Sequence, residues 1–403
     1  MPKHRGVSVC AGRGEVVSGR FPHGVLERSK FQRRVPTVLK VTIILGAFVF
    51  FALKLTYSRS TQDAITTLDL SSVSSGGQKK LKAQAGRRMD GKTVAYVISV
   101  TADGPYMDGA AVLAHSIRKA STDSKYGIDL IAMVHPNVTT SRAALMRAGW
   151  KVLERDIPLD INEIQGDYLR ERIAKNGCCG ATELLKLYAW RLTDYHRVVH
   201  LDMDSLLLQP LDELFDLSGK DFLYTCDYGM MTRGSKACPV QGGFLILKPN
   251  EEDFKRLVNT VKLGDFRAGS AWGGEHIGWY WGGMTIQGLL PYYFHKLTDP
   301  TRAKEVDRCV YNNMFDNPEC KNASIPMIKN VHFTVCQKPW TCTTHAKNAA
   351  CTPFMEKWFQ LRRELESMET GAYGEACVRG NYRPLEFLQD DVPAVATGGA
   401  ATP

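Results

Sequence analysis

Apolar strand patterns that alternate with helical patterns set the strongest limit on what this chain can fold into. Strand patterns at Thr93–Val100, "GIDLIAMVHP" and Lys151–Ile157 are separated by helical patterns at about Met107–Lys119 and Ser141–Ala148. Such alternation predicts an α/β fold with a mainly parallel sheet that helices cover on both faces. Ligands of such sheets bind outside the carboxyl ends of the strands.

The same alternation continues toward the C-terminus. A helical pattern, "TELLKLYAWRL", leads into the apolar run Val198–Leu201, and two more strand candidates, "DFLYTCD" and "GGFLILKP", follow. Helices are predicted near 250–263, 285–293 and 352–368, with a Gly- and Trp-rich loop between the first two. We therefore predict one catalytic-type domain over residues 91–370 and a C-terminal tail over residues 371–403.

Two carboxylates, Asp202 and Asp204, end the apolar run in an Asp-x-Asp arrangement. Residues two apart on a strand point to one face, so we expect these carboxylates to converge while Met203 points away. Each would raise the pKa of the other unless a cation lies between them. Carboxylate oxygens select hard cations such as Mg²⁺ or Mn²⁺, whose shell substrate phosphates complete. The alternative is a solvated turn at the end of the strand.

The sequence disfavours two classes of protein, namely nucleoside triphosphatases and nucleic-acid-binding proteins. Its GxxxxGK[ST] match, "GRRMDGKT" at residues 86–93, runs into the strand pattern Thr93–Val100 and does not open a helix as a phosphate loop does, so a diphosphate leaving group on an activated donor suits a metal site here better than a nucleoside triphosphate does. The formal net charge is +9, but residues 1–40 hold nine Lys or Arg against two Glu, which gives +7 and leaves +2 for the rest. Because the folded part is almost balanced, we predict no nucleic-acid partner.

A membrane anchor is predicted near the N-terminus. The basic segment 1–40 precedes the uncharged run Val41–Leu53, and a polar Ser-, Thr-, Gly- and Lys-rich stretch follows it. We predict a cytoplasmic tail over 1–40, a transmembrane signal anchor over 41–57 and a stalk over 58–90. This arrangement indicates a single-pass type II protein of the Golgi membrane with its domain in the lumen. The alternative is a buried core helix.

Cysteine usage agrees with a lumenal domain. Of 11 cysteines only Cys10 precedes the predicted anchor, and an even number follow it, so disulfides are expected. A zinc site in "CQKPWTCTTHAKNAAC", with His345, is disfavoured because the spacing fits no common zinc motif. Asn137 and Asn322 begin glycosylation sequons.

The block "ELLKLYAWRLTDYHRVVHLDMDSLLLQPLDELF", residues 183–215, resembles the metal-binding core of the glycogenin-like glycosyltransferases, family 8 of the retaining enzymes. Similar blocks occur in the family's order, namely "AYVISVTADGPYMDGAAVLAHSI", "QGGFLILKP", "IQGLL" and "VHFTVCQKPW", so the resemblance spans about residues 93–340. It implies the GT-A fold, a Rossmann-like mainly parallel sheet flanked by helices, and a hexosyltransferase that uses a UDP-sugar.

The resemblance also implies roles for individual residues. Asp202, Asp204 and His332 would bind Mn²⁺, an oxygen and nitrogen set that the chemistry of this ion allows. Taken alone, a histidine such as His332 would more often be a core residue, and Lys186 would pass for a helix-surface lysine. Further matches implied by the resemblance are the uracil-binding Thr101 and Tyr106, the diphosphate-binding Lys338, Lys186 facing the sugar and phosphate, Gly242 and Gly243 beside the sugar, and Gln287 orienting it.

The chain departs from the family's pattern at two places. Many members carry Asp-Gln where this chain has Ile286-Gln287, and Glu275 or His276 of the neighbouring loop are the substitutes that the sequence suggests. Val335 stands where a Gly often precedes the phosphate-binding lysine. The donor sugar therefore stays open among glucose, galactose and glucuronic acid, which all occur among relatives.

Together these observations predict a Mn²⁺-dependent retaining glycosyltransferase that moves a hexose from a UDP-sugar to a lumenal glycan, protein or lipid acceptor. Two alternatives remain. One is an inactive lumenal protein that binds a nucleotide-sugar, and the other is a metal-dependent phosphohydrolase.

Overall fold

The computed structural model describes residues 91–343 and 348–389. The predicted tail 1–40, anchor 41–57 and stalk 58–90 lie outside these residues and stay predictions. Within the two described ranges, no helix combines the length and the apolar character that crossing a bilayer requires.

The strands and helices follow the predicted alternation. The described strands are β1 (Thr93–Val100), β2 (Gly127–Val134), β3 (Lys151–Glu154), β4 (Arg197–Leu201), β5 (Ser205–Leu207), β6 (Phe222–Cys226), β7 (Val240–Leu247), β8 (Phe266–Arg267), β9 (Ala271–Trp272), β10 (Ala303–Glu305), β11 (Asn330–His332), β12 (Cys377–Val378) and β13 (Asn381–Tyr382). The described α-helices are α1 (Met107–Ala120), α2 (Ser141–Arg147), α3 (Asp167–Arg170), α4 (Asp212–Phe215), α5 (Glu251–Leu263), α6 (Ile286–Tyr292), α7 (Arg308–Tyr311), α8 (Pro318–Lys321) and α9 (Thr352–Thr370).

A central sheet organises the described residues. Its seven strands have the order β10-β6-β7-β4-β1-β2-β3, and β7 alone runs antiparallel to its neighbours. The prediction of a mainly parallel α/β sheet is therefore confirmed. Every residue of β4 and β7 is buried, which explains why both segments read as continuous apolar runs rather than alternating ones.

Helices cover both faces of the sheet. Helices α1 and α9 contribute to the apolar cluster on one face, and α5 and α6 to the cluster on the other. The segment "TELLKLYAWRL" differs from the expectation, because Gly180–Arg191 is a 3₁₀ helix rather than an α-helix. Side chains three positions apart therefore lie almost in line along it.

The chain beyond α9 returns to the start of α1. The backbone N–H of Leu385 donates to the Asp108 carboxylate at 3.0 Å, and the Tyr382 hydroxyl donates to it at 2.5 Å. Asp108 lies in the first turn of α1, so the C-terminal segment holds this helix end in place.

Disulfides join pairs of described cysteines, as the cysteine count predicts. The pairs are Cys226–Cys238, Cys309–Cys320, Cys336–Cys351 and Cys342–Cys377. The last two pairs use the cysteines of "CQKPWTCTTHAKNAAC", which confirms the preference for disulfides over zinc in that run. His345 lies outside the described residues.

Candidate functional site

The carboxyl ends of three parallel strands supply polar residues to one edge of the sheet. Thr101 follows β1, Asp202 follows β4 and Asp227 follows β6. Because β7 runs the opposite way, its beginning lies at this edge, with Gly242 and Gly243 close to Asp202. The backbone N–H of Asp202 donates to the Gly243 carbonyl at 3.2 Å.

The two aspartates lie in a turn rather than on a strand. Strand β4 ends before Asp202, and the backbone N–H of Ser205 donates to the Asp202 carbonyl at 3.0 Å. We expected the two carboxylates to converge because side chains alternate along a strand. That explanation is wrong, because the two residues lie in this turn. They converge on His332, whose Nε2 lies 3.8 Å from Asp202 Oδ2 and 3.3 Å from Asp204 Oδ1. Strand β11 pairs with β5 so that His332 lies opposite Ser205.

These three side chains fit a divalent cation. Their ligand atoms lie within 4.8 Å of one another. His332 is fully buried, and neither of its ring nitrogens completes a hydrogen bond within the described part of the chain. Two carboxylates and one imidazole are ligands that Mn²⁺ and similar ions accept. Gly243 forms the floor, because a Cβ there would lie 2.4 Å from His332 Cε1 and 2.8 Å from Asp202 Oδ2.

Each aspartate also has its own lysine. Lys186 Nζ lies 3.0 Å from Asp202 Oδ1, and Lys338 Nζ donates to Asp204 Oδ2 and, at 3.1 Å, to the Phe333 carbonyl. Burial alone would raise the pKa of both carboxyls, but the lysines and His332 together hold it below its usual range. Asp204 does raise the pKa of Asp202, as expected, but positive groups of the chain itself outweigh this effect, so the pair does not need a metal ion for its neutralisation.

Lys186 is buried inside the site and is not a helix-surface lysine. Besides Asp202, it contacts Glu183 Oε2 at 3.0 Å and donates to the Gly242 carbonyl at 2.9 Å. Burial opposes its charge, but the two carboxylates outweigh burial and raise the pKa of this ammonium group. Lys186 is therefore charged and fixed in position.

Of the two residues matched to the uracil site, Tyr106 directly precedes α1, and this helix end lies against the turn that carries the aspartates. A Cβ on Gly109 would lie 2.5 Å from Trp340 and 3.0 Å from the Met203 carbonyl. Tyr106 is only 3% exposed and belongs to the apolar cluster. Its hydroxyl has no hydrogen-bond partner among the described residues. Thr101 is half-buried at the end of β1.

Gln287 and Ile286 lie on the other side of Gly242. A Cβ on Gly242 would be 3.9 Å from the Ile286 side chain, and a Cβ on Gly282 would be 2.3 Å from Gln287 Oε1. Helix α6 therefore brings Ile286 next to Gly242, while the Gln287 side chain lies against Gly282 of the preceding loop, and its role toward the sugar stays a prediction.

Glu275 and His276 were suggested as substitutes for the Asp that Ile286 replaces. Among the described residues, no contact brings either of them next to Ile286. Glu275 is exposed and pairs with Lys296 at 2.8 Å, and His276 is exposed on the same loop. The suggestion of Glu275 is therefore wrong, because a lysine on the surface holds its carboxylate.

Asp227 is a further site residue that sequence reasoning missed. Burial and the neighbouring Asp316 raise its pKa to about 6, although Arg308 and His332 act in the opposite direction. The segment "DFLYTCD" ends an apolar strand on a carboxylate just as β4 does, and that shared pattern could have identified Asp227.

The arrangement combines a buried cation site with two fixed ammonium groups and nearby glycine backbone. Such a set stabilises an anion that forms when a bond to a phosphate oxygen breaks. The arrangement is therefore suited to a ligand that carries phosphates.

Comparisons with known proteins give relatives of one kind. The chain is 23% identical over 353 residues to galactinol synthase 2 of Arabidopsis thaliana, covering 80% of this chain and 95% of the relative. It is 30% identical over 175 residues to glycogenin-1 of Caenorhabditis elegans, covering 43% of this chain and only 36% of the relative. A solved galactosyltransferase, LgtC with donor and acceptor sugar analogues, matches at a TM-score of 0.42 and 16% identity, over 66% of this chain and 95% of that one. No family model matches the chain.

Proposed function

The chain belongs to family 8 of the glycosyltransferases, the glycogenin-like hexosyltransferases, and we propose that it transfers a hexose from a UDP-sugar to an acceptor in a Mn²⁺-dependent reaction. The observation that carries this proposal is the cluster of Asp202, Asp204 and His332, which two buried lysines flank. Tyr106 and Thr101 are the groups that we assign to uracil.

The metal supplies Lewis-acid stabilisation of the diphosphate oxygens when it is bound. Asp202, Asp204 and His332 would hold it, and Gly243 would leave room for it. Lys338 places a fixed positive charge beside Asp204, where it shares the stabilisation of the departing UDP. Lys186 holds the Asp202 carboxylate in position from the other side.

We assign the attack to an acceptor hydroxyl on the face from which UDP leaves. The bond between the anomeric carbon and the β-phosphate oxygen breaks with its electron pair on UDP. The acceptor oxygen forms the new bond, and its proton passes to the departing phosphate oxygen. The configuration at the anomeric carbon is thereby retained, with Gln287 orienting the sugar.

The acceptor is a lumenal glycan, protein or lipid, and the enzyme is a type II protein of the Golgi membrane. Two observations support this part of the proposal. The described disulfides suit an oxidising compartment, and both sequon asparagines, Asn137 and Asn322, are exposed. The anchor itself rests on the sequence of residues 41–57.

Calorimetry of the purified chain with UDP, with and without Mn²⁺, tests the nucleotide and metal parts together. We expect binding that needs the metal, and product analysis with UDP-glucose, UDP-galactose and UDP-glucuronic acid then identifies a transferred sugar. Absence of UDP binding at any metal concentration would refute the proposal. Phosphate release without sugar release would identify a phosphohydrolase, and metal-dependent binding without turnover would identify a binding protein.

A further inference from the structure

The ring of His332 has one nitrogen that the cation site does not use. Nε2 is the nitrogen that faces the two aspartates, at 3.8 Å from Asp202 Oδ2 and 3.3 Å from Asp204 Oδ1. Nδ1 is buried and completes no hydrogen bond within residues 91–343 and 348–389. A neutral imidazole that binds a metal through Nε2 carries its proton on Nδ1. A buried N–H of this kind requires an acceptor on the Nδ1 side of the ring.

Ser205 is the cross-strand neighbour of His332, because β5 and β11 pair antiparallel with these two residues opposite each other. The adjacent pair carries a ladder hydrogen bond, from the Phe333 N–H to the Asp204 carbonyl at 2.8 Å. Ser205 and His332 are therefore a non-hydrogen-bonded pair, in which the Cα atoms are about 4.5 Å apart and the side chains approach most closely. The Ser205 hydroxyl is fully buried and has no partner in the described structure.

Two asparagines place further unpaired polar atoms near this pair. Asn330 precedes His332 by two positions on β11, so both side chains lie on the same face of the strand. Asn330 is fully buried, and neither its amide nitrogen nor its amide oxygen has a partner among the residues described. Asn312 is also fully buried, and its nitrogen donates to Thr225 Oγ1 at 2.9 Å while its oxygen has no partner in the same ranges. Both asparagines therefore offer buried atoms that still need hydrogen bonds.

Asn312 is linked to the glycine floor of the cation site. Gln241 Oε1 accepts one hydrogen bond from Asn312 Nδ2 at 3.3 Å and another from the Gly243 N–H at 2.6 Å. A Cβ on Gly243 would lie 2.9 Å from His332 Nδ1, so this glycine adjoins the unused nitrogen. The buried groups near this nitrogen form the polar layer, which we define as Ser205, Asn312 and Asn330.

Water fits the polar layer better than an ion does. The unpaired atoms of Asn330 are a donor and an acceptor, and a serine hydroxyl is both, so the layer suits a small molecule that also donates and accepts. Buried water typically makes about three hydrogen bonds to polar atoms of this kind. None of the three side chains carries a charge that would balance a buried ion.

We propose that the polar layer binds an ordered water molecule, which accepts the Nδ1 proton of His332. The ring is thereby held in the tautomer that leaves Nε2 free for the cation. Ser205 is then a positioning residue, because it acts on the metal through the water molecule and His332. This inference rests on the proposed function, in which His332 is a ligand of Mn²⁺.

The first experiment is a crystal structure of the unaltered chain with Mn²⁺, at a resolution that shows ordered water. We expect a water molecule within hydrogen-bond distance of His332 Nδ1 and of at least two atoms of the polar layer. A structure without such a water molecule, or one in which Nδ1 bonds directly to a protein atom, would overturn the inference.

The second experiment compares Ser205→Ala with a matched control, Ser116→Ala, by calorimetry with Mn²⁺ alone. Ser116 is a buried serine whose hydroxyl donates to the Leu113 carbonyl at 2.8 Å and accepts from the Leu207 N–H of β5 at 3.2 Å. We expect Ser205→Ala to lower the affinity for Mn²⁺ by on the order of tenfold, as the loss of a group that orients a metal ligand does. Ser116→Ala should destabilise the fold and leave the Mn²⁺ affinity of the folded protein unchanged.

Thermal unfolding without metal gives a second measure of Ser205→Ala. Removing a buried hydroxyl that has no partner leaves the stability unchanged or raises it, whereas removing one that binds water lowers it. We therefore expect Ser205→Ala to melt at a lower temperature than the unaltered chain. An equal or higher melting temperature would contradict the bound water molecule.

The outcomes separate this inference from the proposed function. If the unaltered chain binds Mn²⁺ and Ser205→Ala binds it equally well, the inference is wrong while the proposed function stands. If the unaltered chain does not bind Mn²⁺, the proposed function and the inference fail together. Should Ser205→Ala not fold, the crystal structure of the unaltered chain still decides the inference.

Discussion

Lys338 and Asp204 form a buried ion pair although they are 134 positions apart in the sequence. The ammonium group donates to Oδ2, which leaves Oδ1 on the side that faces His332. Because Lys186 does the same for Asp202, the protein itself neutralises both aspartates. The fold therefore does not need a metal ion to keep the two carboxylates together, although their free oxygens remain available to one.

Asp204→Asn is expected to destabilise the metal-free protein. The change leaves Lys338 buried without its carboxylate, and breaking a buried pair in this way typically destabilises by about 3–5 kcal/mol. The variant should also lose the rise in melting temperature that Mn²⁺ gives by binding the folded state. Thermal unfolding with and without Mn²⁺ measures both effects.

An exposed aspartate provides the control for that experiment. Asp194→Asn should change neither the melting temperature nor its response to Mn²⁺, since the side chain is exposed. A metal-free Asp204→Asn protein as stable as the unaltered chain would contradict the ion pair. A full Mn²⁺ response in that variant would contradict the metal site.

Gly243→Ala is expected to remove metal binding while the fold persists. Its Cβ would lie 2.4 Å from His332 and 2.8 Å from Asp202, so the ligands must move apart. Gly242→Ala is the matched control, because its nearest neighbour is Lys186 Nζ at 3.4 Å. Mn²⁺ titration by calorimetry should show a loss for Gly243→Ala only. Equal affinities in both variants would show that Gly243 is not the floor of the cation site.

Local sequence patterns predicted the order of the elements and two of the three proposed metal ligands. The run before Asp202 is a strand because both faces of β4 are buried, and this burial is visible as a mainly apolar run, Val198–Leu201, in which His200 is the one polar residue. His332 was identified as a ligand only through the family resemblance. A single histidine in a short strand does not indicate, from the neighbouring sequence, which residues it contacts.

Features that depend on distant contacts could not be predicted in this way. The pairing of Lys338 with Asp204 joins segments that nothing in the sequence relates. The burial of Tyr106 follows from tertiary packing of α1, whose first turn the C-terminal segment holds through Asp108. The sequence likewise does not show that Glu275 turns to Lys296.

Tyr106→Ala is expected to destabilise the protein strongly, because the ring is part of the core. Replacing a buried aromatic side chain by alanine typically lowers the free energy of unfolding by about 3–5 kcal/mol. Tyr106→Phe keeps the ring and removes a hydroxyl that has no partner in the described residues, so its stability should be unchanged or higher. If the Tyr106 hydroxyl contacts the nucleotide, removing only this hydroxyl in Tyr106→Phe will lower the affinity for UDP. Calorimetry with UDP measures that affinity.

The membrane topology gives a separate prediction. If residues 41–57 anchor the chain with its domain in the lumen, protease added to intact microsomes should remove only the basic tail. Asn137 and Asn322 are exposed and should carry glycans that an endoglycosidase removes. Digestion of the whole domain in intact microsomes would refute the lumenal location.

Asp227 gives a prediction for the pH dependence of stability. Its pKa in the folded protein is about 6, above the ordinary value of 3.8, mainly because of burial. Between these values the folded state keeps a proton that the unfolded state releases, so this group stabilises the fold fully below about pH 4 and loses that contribution as the pH rises through about 6. At neutral pH the charged carboxylate therefore destabilises the metal-free fold.

Asp227→Asn should remove the destabilisation that the charged Asp227 carboxylate causes at neutral pH. The metal-free variant should melt at a higher temperature than the unaltered chain at pH 7, and the difference should shrink as the pH falls through 6 and below about 4, where Asp227 becomes protonated in both states. Other groups titrate equally in the two proteins, so the difference between their melting temperatures isolates Asp227. Asp194→Asn should show no such dependence. A variant that is less stable than the unaltered chain at pH 7 would mean that the charged carboxylate is stabilised in the folded protein, with Arg308 and His332 outweighing burial.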